Sequence, residues 1–260
     1  MAGDDVQLER RGAVWIVTLS RPEVLNAVRT ATLERLLDLL DEAAQVPELR
    51  ALVITGAGRA FSSGRDLREL AASTDDPAGE RRSVERLQSL TQRLVQHPAI
   101  VCAAVNGLAV GLGAELAVAC DVRFAADVAS FSFPEAQRGV FVTGGVLYLL
   151  PRLVGAGRAA HWLISGASVS AAEAFAAGLV TRVVPGARLL DEVLAFAGLV
   201  AQAAPQSIRL LKQGLRRAEA LDLDAVLALE MEGALACLSG QEAKGRLRAF
   251  LDRPRPETNG

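Results

Sequence analysis

The chain has 260 residues, 51% of them hydrophobic, and a formal net charge of −2 from 28 Lys+Arg against 30 Asp+Glu. That is enough apolar mass for one large domain, or a domain with an appendage, and the near-neutral balance gives no reason to expect nucleic acid or an acidic membrane as partner. Two histidines, His97 and His161, argue against a histidine-based metal site, and without a Gly-x-Ser-x-Gly elbow they argue against a serine triad. Cys102, Cys120 and Cys237 lack metal-type spacing and suit a reduced, cytoplasmic setting. The acidic start has no apolar signal region, and no apolar run approaches the ~20 residues that span a bilayer.

In chain order, residues 13–19 (Ala-Val-Trp-Ile-Val-Thr-Leu) predict a strand. Residues 30–44 follow with Leu33, Leu36, Leu37 and Leu40 as an amphipathic helical stripe. Ala51-Leu52-Val53-Ile54-Thr55 predicts a buried strand closed by Gly56-Ala57-Gly58. Residues 61–66 then read as a loop. Residues 81–96 predict a helix ended by His97-Pro98, and residues 100–105 a second buried strand closed at Asn106-Gly107. Residues 121–126 and 180–184 are further strand candidates. Ser170-Ala171-Ala172-Glu173 is a capping-box pattern opening a short helix that Gly178 stops. From about residue 187 only helical periodicity remains, with breaks near Pro205, Leu221 and Ser239. Strands alternating with helices indicate an α/β fold. Tyr148 and Trp162 fall on apolar helical faces and read as core.

Three segments carry chemistry. Gly111-Leu112-Gly113 sits at a strand-to-helix junction, where the amides of a first helical turn can point at an anion; a tight turn without a ligand is the alternative. A dinucleotide fingerprint fails, because Leu116 stands where the third glycine should be. Ser62-Ser63-Gly64-Arg65-Asp66 is either a site loop or an ordinary surface loop in which Asp66 caps the next helix. Glu115 lies one turn after the glycines in an apolar run, where a carboxylate is costly unless paired or used. Glu135 follows Pro134, a common helix start, yet beside Glu115 it would make a pair able to divide general-acid and general-base roles.

Together these segments resemble the crotonase family of enoyl-CoA hydratases and isomerases over nearly the whole chain. The matching pieces are Leu25-Asn26-Ala27, Leu52 to Gly56, Ala60 to Leu67, Pro98 to Glu115, Cys120-Asp121, Phe131 to Glu135, Leu153-Val154-Gly155, Ala172-Glu173-Ala174 and Ala177 to Val180. The resemblance implies an α/β crotonase-like spiral of ββα units over residues 1–195. Residues 196–260 would then form a C-terminal helical trimerisation layer, giving a homotrimer or a dimer of trimers. It implies an acyl-CoA thioester as substrate, with no separate cofactor and no metal. By resemblance, the backbone amides of Arg65 and Leu112 polarise the thioester carbonyl. Contacts to the CoA ester fall on Val24, Ala27, Phe61, Ser63, Gly64, Asp66, Leu67, Arg68, Gly111, Phe250 and Arg253. Glu115 is expected to activate water for attack on the β carbon, and Glu135 to protonate the α carbon. The stretch from Gly139 to Gly145 departs from the glycine-rich version common in short-chain hydratases. Retention of both glutamates favours hydration of a trans-2-enoyl-CoA over Δ3–Δ2 isomerisation or thioester hydrolysis on the same scaffold, and over a non-catalytic acyl-CoA binder.

Overall fold

The computed structural model describes residues 4–72 and 77–252. The chain divides between Ala201 and Gln202 into two compact units.

The first unit is organised by two sheets. A six-stranded sheet has the order β1 (Val6–Arg11), β2 (Val14–Leu19), β3 (Ala51–Gly56), β5 (Ile100–Val105), β7 (Val122–Ala126), β10 (Arg182–Val184). Only β1 and β2 pair antiparallel; the other neighbours are parallel. Ala51 to Ile54 and Val101 to Val105 are at most 1% exposed, as continuous apolar runs buried on both faces should be. A four-stranded sheet has the order β4 (Ala60–Ser62), β6 (Leu108–Val110), β8 (Ser130–Ser132), β9 (Val169–Ser170), with β4, β6 and β8 parallel. Successive passes thus place one strand in the large sheet, the next in the small sheet, and then a helix. This is the expected spiral of ββα units.

The helices of this unit are α1 (Thr30–Ala44), α2 (Leu67–Ala72), α3 (Pro77–Gln96), α4 (Leu112–Ala119), α5 (Val146–Val154), α6 (Ala156–Ser165), α7 (Ala171–Ala176) and α8 (Leu189–Gln202). α1 buries Leu33, Leu36, Leu39 and Leu40, the stripe its periodicity predicts. α7 opens on the full capping box, Ser170 accepting from Glu173 N and the Glu173 side chain accepting from Ser170 N. All eight residues of α4 are buried, so it is a core helix with Glu115 as its sole ionisable side chain. At its end the Arg123 guanidinium donates to the carbonyls of Cys120 (2.6 Å) and Val118 (3.2 Å), capping the negative pole of the helix.

The second unit holds α9 (Pro205–Ala218), α10 (Leu223–Leu238) and α11 (Gln241–Leu251). Along α10, Leu223, Leu227, Met231, Leu235 and Leu238 are each more than half exposed. Among the described residues no helix is long and apolar enough to cross a membrane.

Two expectations need correction. The segment expected as a loop over 61–66 begins within a strand, β4, whose three residues are too short to carry an alternation signal. Tyr148 is 47% exposed and stacks under the Arg152 guanidinium instead of entering the core, whereas Trp162 is buried as expected.

Candidate active site

The short sheet explains why three distant segments meet. Parallel strands β4, β6 and β8 end at Ser62, Val110 and Ser132, and the chain leaving each end carries one flagged segment: 63–66, 111–115 and 133–135. Carboxyl ends of parallel strands are where α/β sheets present ligand-binding backbone. Gly111 N donates to Ser132 O at 2.8 Å, joining the second segment to the third.

Two backbone amides face outward here. Val28 N donates to Gly64 O (2.8 Å) and Asp66 N to Val28 O (2.9 Å), forming a single parallel bridge between Val28 and Arg65. Amides alternate in direction along an extended backbone, so Arg65 N–H points away from Val28. Leu112 is the first residue of α4, where N–H groups have no intrahelical acceptor. Among the described residues neither amide donates to a protein acceptor. The two backbones are in close approach: a Cβ on Gly64 (φ +92°) would lie 2.5 Å from Val110 O and 3.3 Å from Leu112 N. The loop is held from beneath. Asn26, 1% exposed, donates to the carbonyls of Ala57 (2.9 Å) and Ala60 (2.8 Å), while Ser62 Oγ donates to Asn26 O (2.8 Å) and accepts from Gly64 N (3.1 Å).

Both glutamates are tied to the Gly111 segment, Glu115 through its backbone and Glu135 through its carboxyl. Glu115 N donates to Gly111 O at 2.9 Å, and a Cβ on Gly111 would meet Glu135 Oε1 at 2.7 Å. With φ +54° as well, that position strongly favours glycine. The Glu115 carboxyl is 2% exposed and takes three donors: Thr143 N on Oε1 (3.0 Å), Gly144 N on Oε2 (2.9 Å) and Thr143 Oγ on Oε2 (3.3 Å). Burial pushes its pKa up to about 7; the donors from Thr143 and Gly144 pull it down, and the neighbouring Glu135 charge adds to the rise. Glu135 ends the segment after β8 and begins a 3-10 turn, Ala136–Arg138. Its pKa is raised too, by burial, with its own backbone amide and Arg138 opposing. Among the described residues its buried Oε2 has no hydrogen-bond partner.

The other sequence-flagged positions divide. Val24 and Ser63 are adjacent, Ser63 Oγ donating to Val24 O at 3.2 Å, and the Ala27 carbonyl accepts from Arg21 (2.7 Å). Phe61 is fully buried, so its side chain belongs to the core and only its backbone borders the site. The Asp66 carboxylate bonds Arg21 (3.1 Å) and caps α2 through Arg68 N (3.2 Å). Burial opposes its ionisation, but Arg21 and those amides outweigh it and lower its pKa. Leu67 and Arg68 are exposed. Phe250 lies in the second unit, 69% exposed, and Arg253 falls outside the described residues.

Sequence reasoning did not single out Asn26, Ser62, Thr143 or Gly144 as individual site residues. Asn26 stood only inside a family match. A buried asparagine with φ +56° after Leu25 at φ +54° leaves no periodic trace. Thr143 and Gly144 lie 28 and 29 positions from the carboxylate they hold, a long-range pairing invisible to local pattern.

Comparison with known proteins agrees with this architecture. Residues 9–259 match the model of the family described as enoyl-CoA hydratase/isomerase. A short-chain-enoyl-CoA hydratase of Clostridium acetobutylicum is 32% identical over 98% of this chain and 97% of its own. A 2,3-dehydroadipyl-CoA hydratase of Escherichia coli is 34% identical over 97% of this chain and 98% of its own. The crystal structure of an enoyl-CoA hydratase from Bacillus anthracis superposes with a TM-score of 0.92 at 31% identity, covering 97% of this chain and 98% of that one. The chain belongs to the enoyl-CoA hydratase/isomerase family of enzymes.

Proposed function

We propose that this enzyme adds water to a trans-2-enoyl-CoA to give a 3-hydroxyacyl-CoA. One observation carries the reading. A buried carboxylate, Glu115, and a half-buried one, Glu135, close enough for the charge of one to raise the pKa of the other, stand beside two outward-facing amides on separate segments. Attack on an α,β-unsaturated thioester moves negative charge onto the thioester oxygen. Fixed amides of Arg65 and Leu112 aimed at that oxygen stabilise the charge where it develops, an effect of ~3–4 kcal/mol per donor. Water held between the carboxylates loses a proton to Glu115 as its oxygen bonds to the β carbon, and Glu135 delivers a proton to the α carbon. The hydrogen bonding supports this division. Glu115 accepts three donors, which favours its carboxylate form, while the Glu135 Oε2 is left for water or substrate. A base poised near neutrality combines ionisation with proton affinity. The hydratase names of the similar proteins point the same way.

The CoA moiety is assigned to the segments around Val24, Ala27 and Ser63 to Arg68, with Arg68 as the exposed phosphate contact. The exposed apolar series of α10 is assigned to contacts between copies in a trimer or a dimer of trimers. Double-bond isomerisation needs the same amides but only one acid–base group, so the second carboxylate favours hydration. Thioester hydrolysis and mere binding likewise leave one or both carboxylates without a task. The test is loss of absorbance of an enoyl-CoA thioester. Wild type should hydrate it, and Glu115→Gln and Glu135→Gln should each be slower by at least ~10²-fold. Near-normal turnover in either folded variant would overturn the assignment.

A further inference from the structure

We propose that Thr143 is a positioning residue for Glu115, its side-chain hydroxyl acting with the Thr143 and Gly144 amides to fix the carboxylate that takes the proton from water. The inference rests on the hydratase reading. It concerns a group that the backbone alone would not supply.

The geometry is specific. The two amides take one carboxylate oxygen each, at 3.0 and 2.9 Å, and the hydroxyl makes a second bond to Oε2 at 3.3 Å. Amides alone leave the carboxyl plane free to tilt; a third donor from outside their line restricts that tilt. The donor also stabilises the ionised form selectively, because a hydroxyl donates better to a carboxylate than to a carboxylic acid. In a site where burial drives the pKa upward, it works in the opposite direction and keeps the base usable near neutrality.

Few other charges bear on Glu115. Glu135 faces it from the segment after β8 and raises its pKa, and Arg138 acts on Glu135. From α3, Leu87, Leu90 and Leu94 face the core, while Arg86 and Arg93 pair with Glu34 and Asp41 on α1. From α5, Val146 and Leu150 are buried and Arg152 lies over Tyr148. Arg123 sits at the opposite end of α4. Strands β4 and β6 present no charged side chain.

The test uses Thr143→Val, close in shape but without the donor, and Thr143→Ser, which retains it. Thr143 is half-buried, so neither change disturbs the deep core. At 3.3 Å the bond is long, and its loss should raise the Glu115 pKa by ~0.5–1 unit. The acid limb of kcat/KM should move up by that amount in Thr143→Val and stay near wild type in Thr143→Ser. For a shift of ~0.7 unit the Val variant should be about fivefold slower at pH 6, with the deficit closing by pH 9. A purely structural loss would lower the rate equally at every pH. The same shift should appear in a carboxyl-carbon NMR titration of glutamate-labelled protein, the Glu115 signal being identified by its absence in Glu115→Gln. That measurement separates the two claims. If wild type fails to hydrate enoyl-CoA, the hydratase reading falls while the NMR titration still judges Thr143. Coincident titration curves for wild type and Thr143→Val, or a deficit independent of pH, would overturn the positioning role.

Discussion

Glu115→Gln should make the fold more tolerant of alkaline pH while slowing catalysis by at least ~10²-fold. The carboxyl is 2% exposed, with a folded pKa of about 7 against 4.5 for an ordinary glutamate. A carboxyl whose pKa is raised by folding gives up its proton first in the unfolded state, so wild-type stability falls as pH rises from 4.5 towards 7 and is then level. At ~1.36 kcal/mol per unit, a rise from 4.5 to about 7 costs roughly 3 kcal/mol above pH 8, most of which develops between pH 5 and pH 8.5. Glutamine is neutral throughout. It also presents an NH₂ to one of the two amides that hold the carboxylate, a mismatch of ~1–3 kcal/mol. That mismatch is independent of pH and cancels from the difference. Urea denaturation followed by circular dichroism at fixed protein concentration, across pH 5 to 8.5, should therefore show the variant gaining on wild type by roughly 2–3 kcal/mol. Parallel stability curves would refute the claim that Glu115 is held by burial with an elevated pKa.

Two other outcomes follow from the same geometry. Gly111→Ala places a Cβ 2.7 Å from Glu135 Oε1 at a φ of +54°, so Glu135 must move and turnover should fall by about 10²-fold in a protein that still folds. Wild-type turnover in that variant would show that Glu135 does not need its present position. Arg68→Ala should weaken binding of a non-hydrolysable CoA ester by about two- to fivefold at low salt, shrinking as ionic strength rises. Calorimetry showing an unchanged dissociation constant at every salt concentration would remove Arg68 from the phosphate site.

Legibility in the sequence followed the length and regularity of each element. The buried runs at 51–55 and 100–105 and the leucine stripe of α1 were readable because one face of a long element must be apolar throughout. The Ser170 capping box was readable because it is a local exchange of two hydrogen bonds. The strands β4, β6 and β8 were not, although they are what brings the candidate site together. Three residues between turns show no period, and their pairing spans tens of positions. Glu115 stood out as a charge in an apolar helix, whereas Glu135 after Pro134 looked like a helix start and was singled out by resemblance. The residue that holds Glu115, Thr143, carries no signal of its own; only the fold brings it to the carboxylate.

The central claim is that two carboxylates hold and split a water molecule beside two carbonyl-polarising amides. Its most direct test is incubation of the protein with a trans-2-enoyl-CoA in water enriched in heavy oxygen, with the product analysed by mass spectrometry and a 3-enoyl-CoA run in parallel. A hydratase gives a 3-hydroxyacyl-CoA carrying the label on its hydroxyl, with at most slow migration of the 3-enoyl ester. Fast migration without labelled hydroxyl would contradict the account and assign the chain to isomerisation.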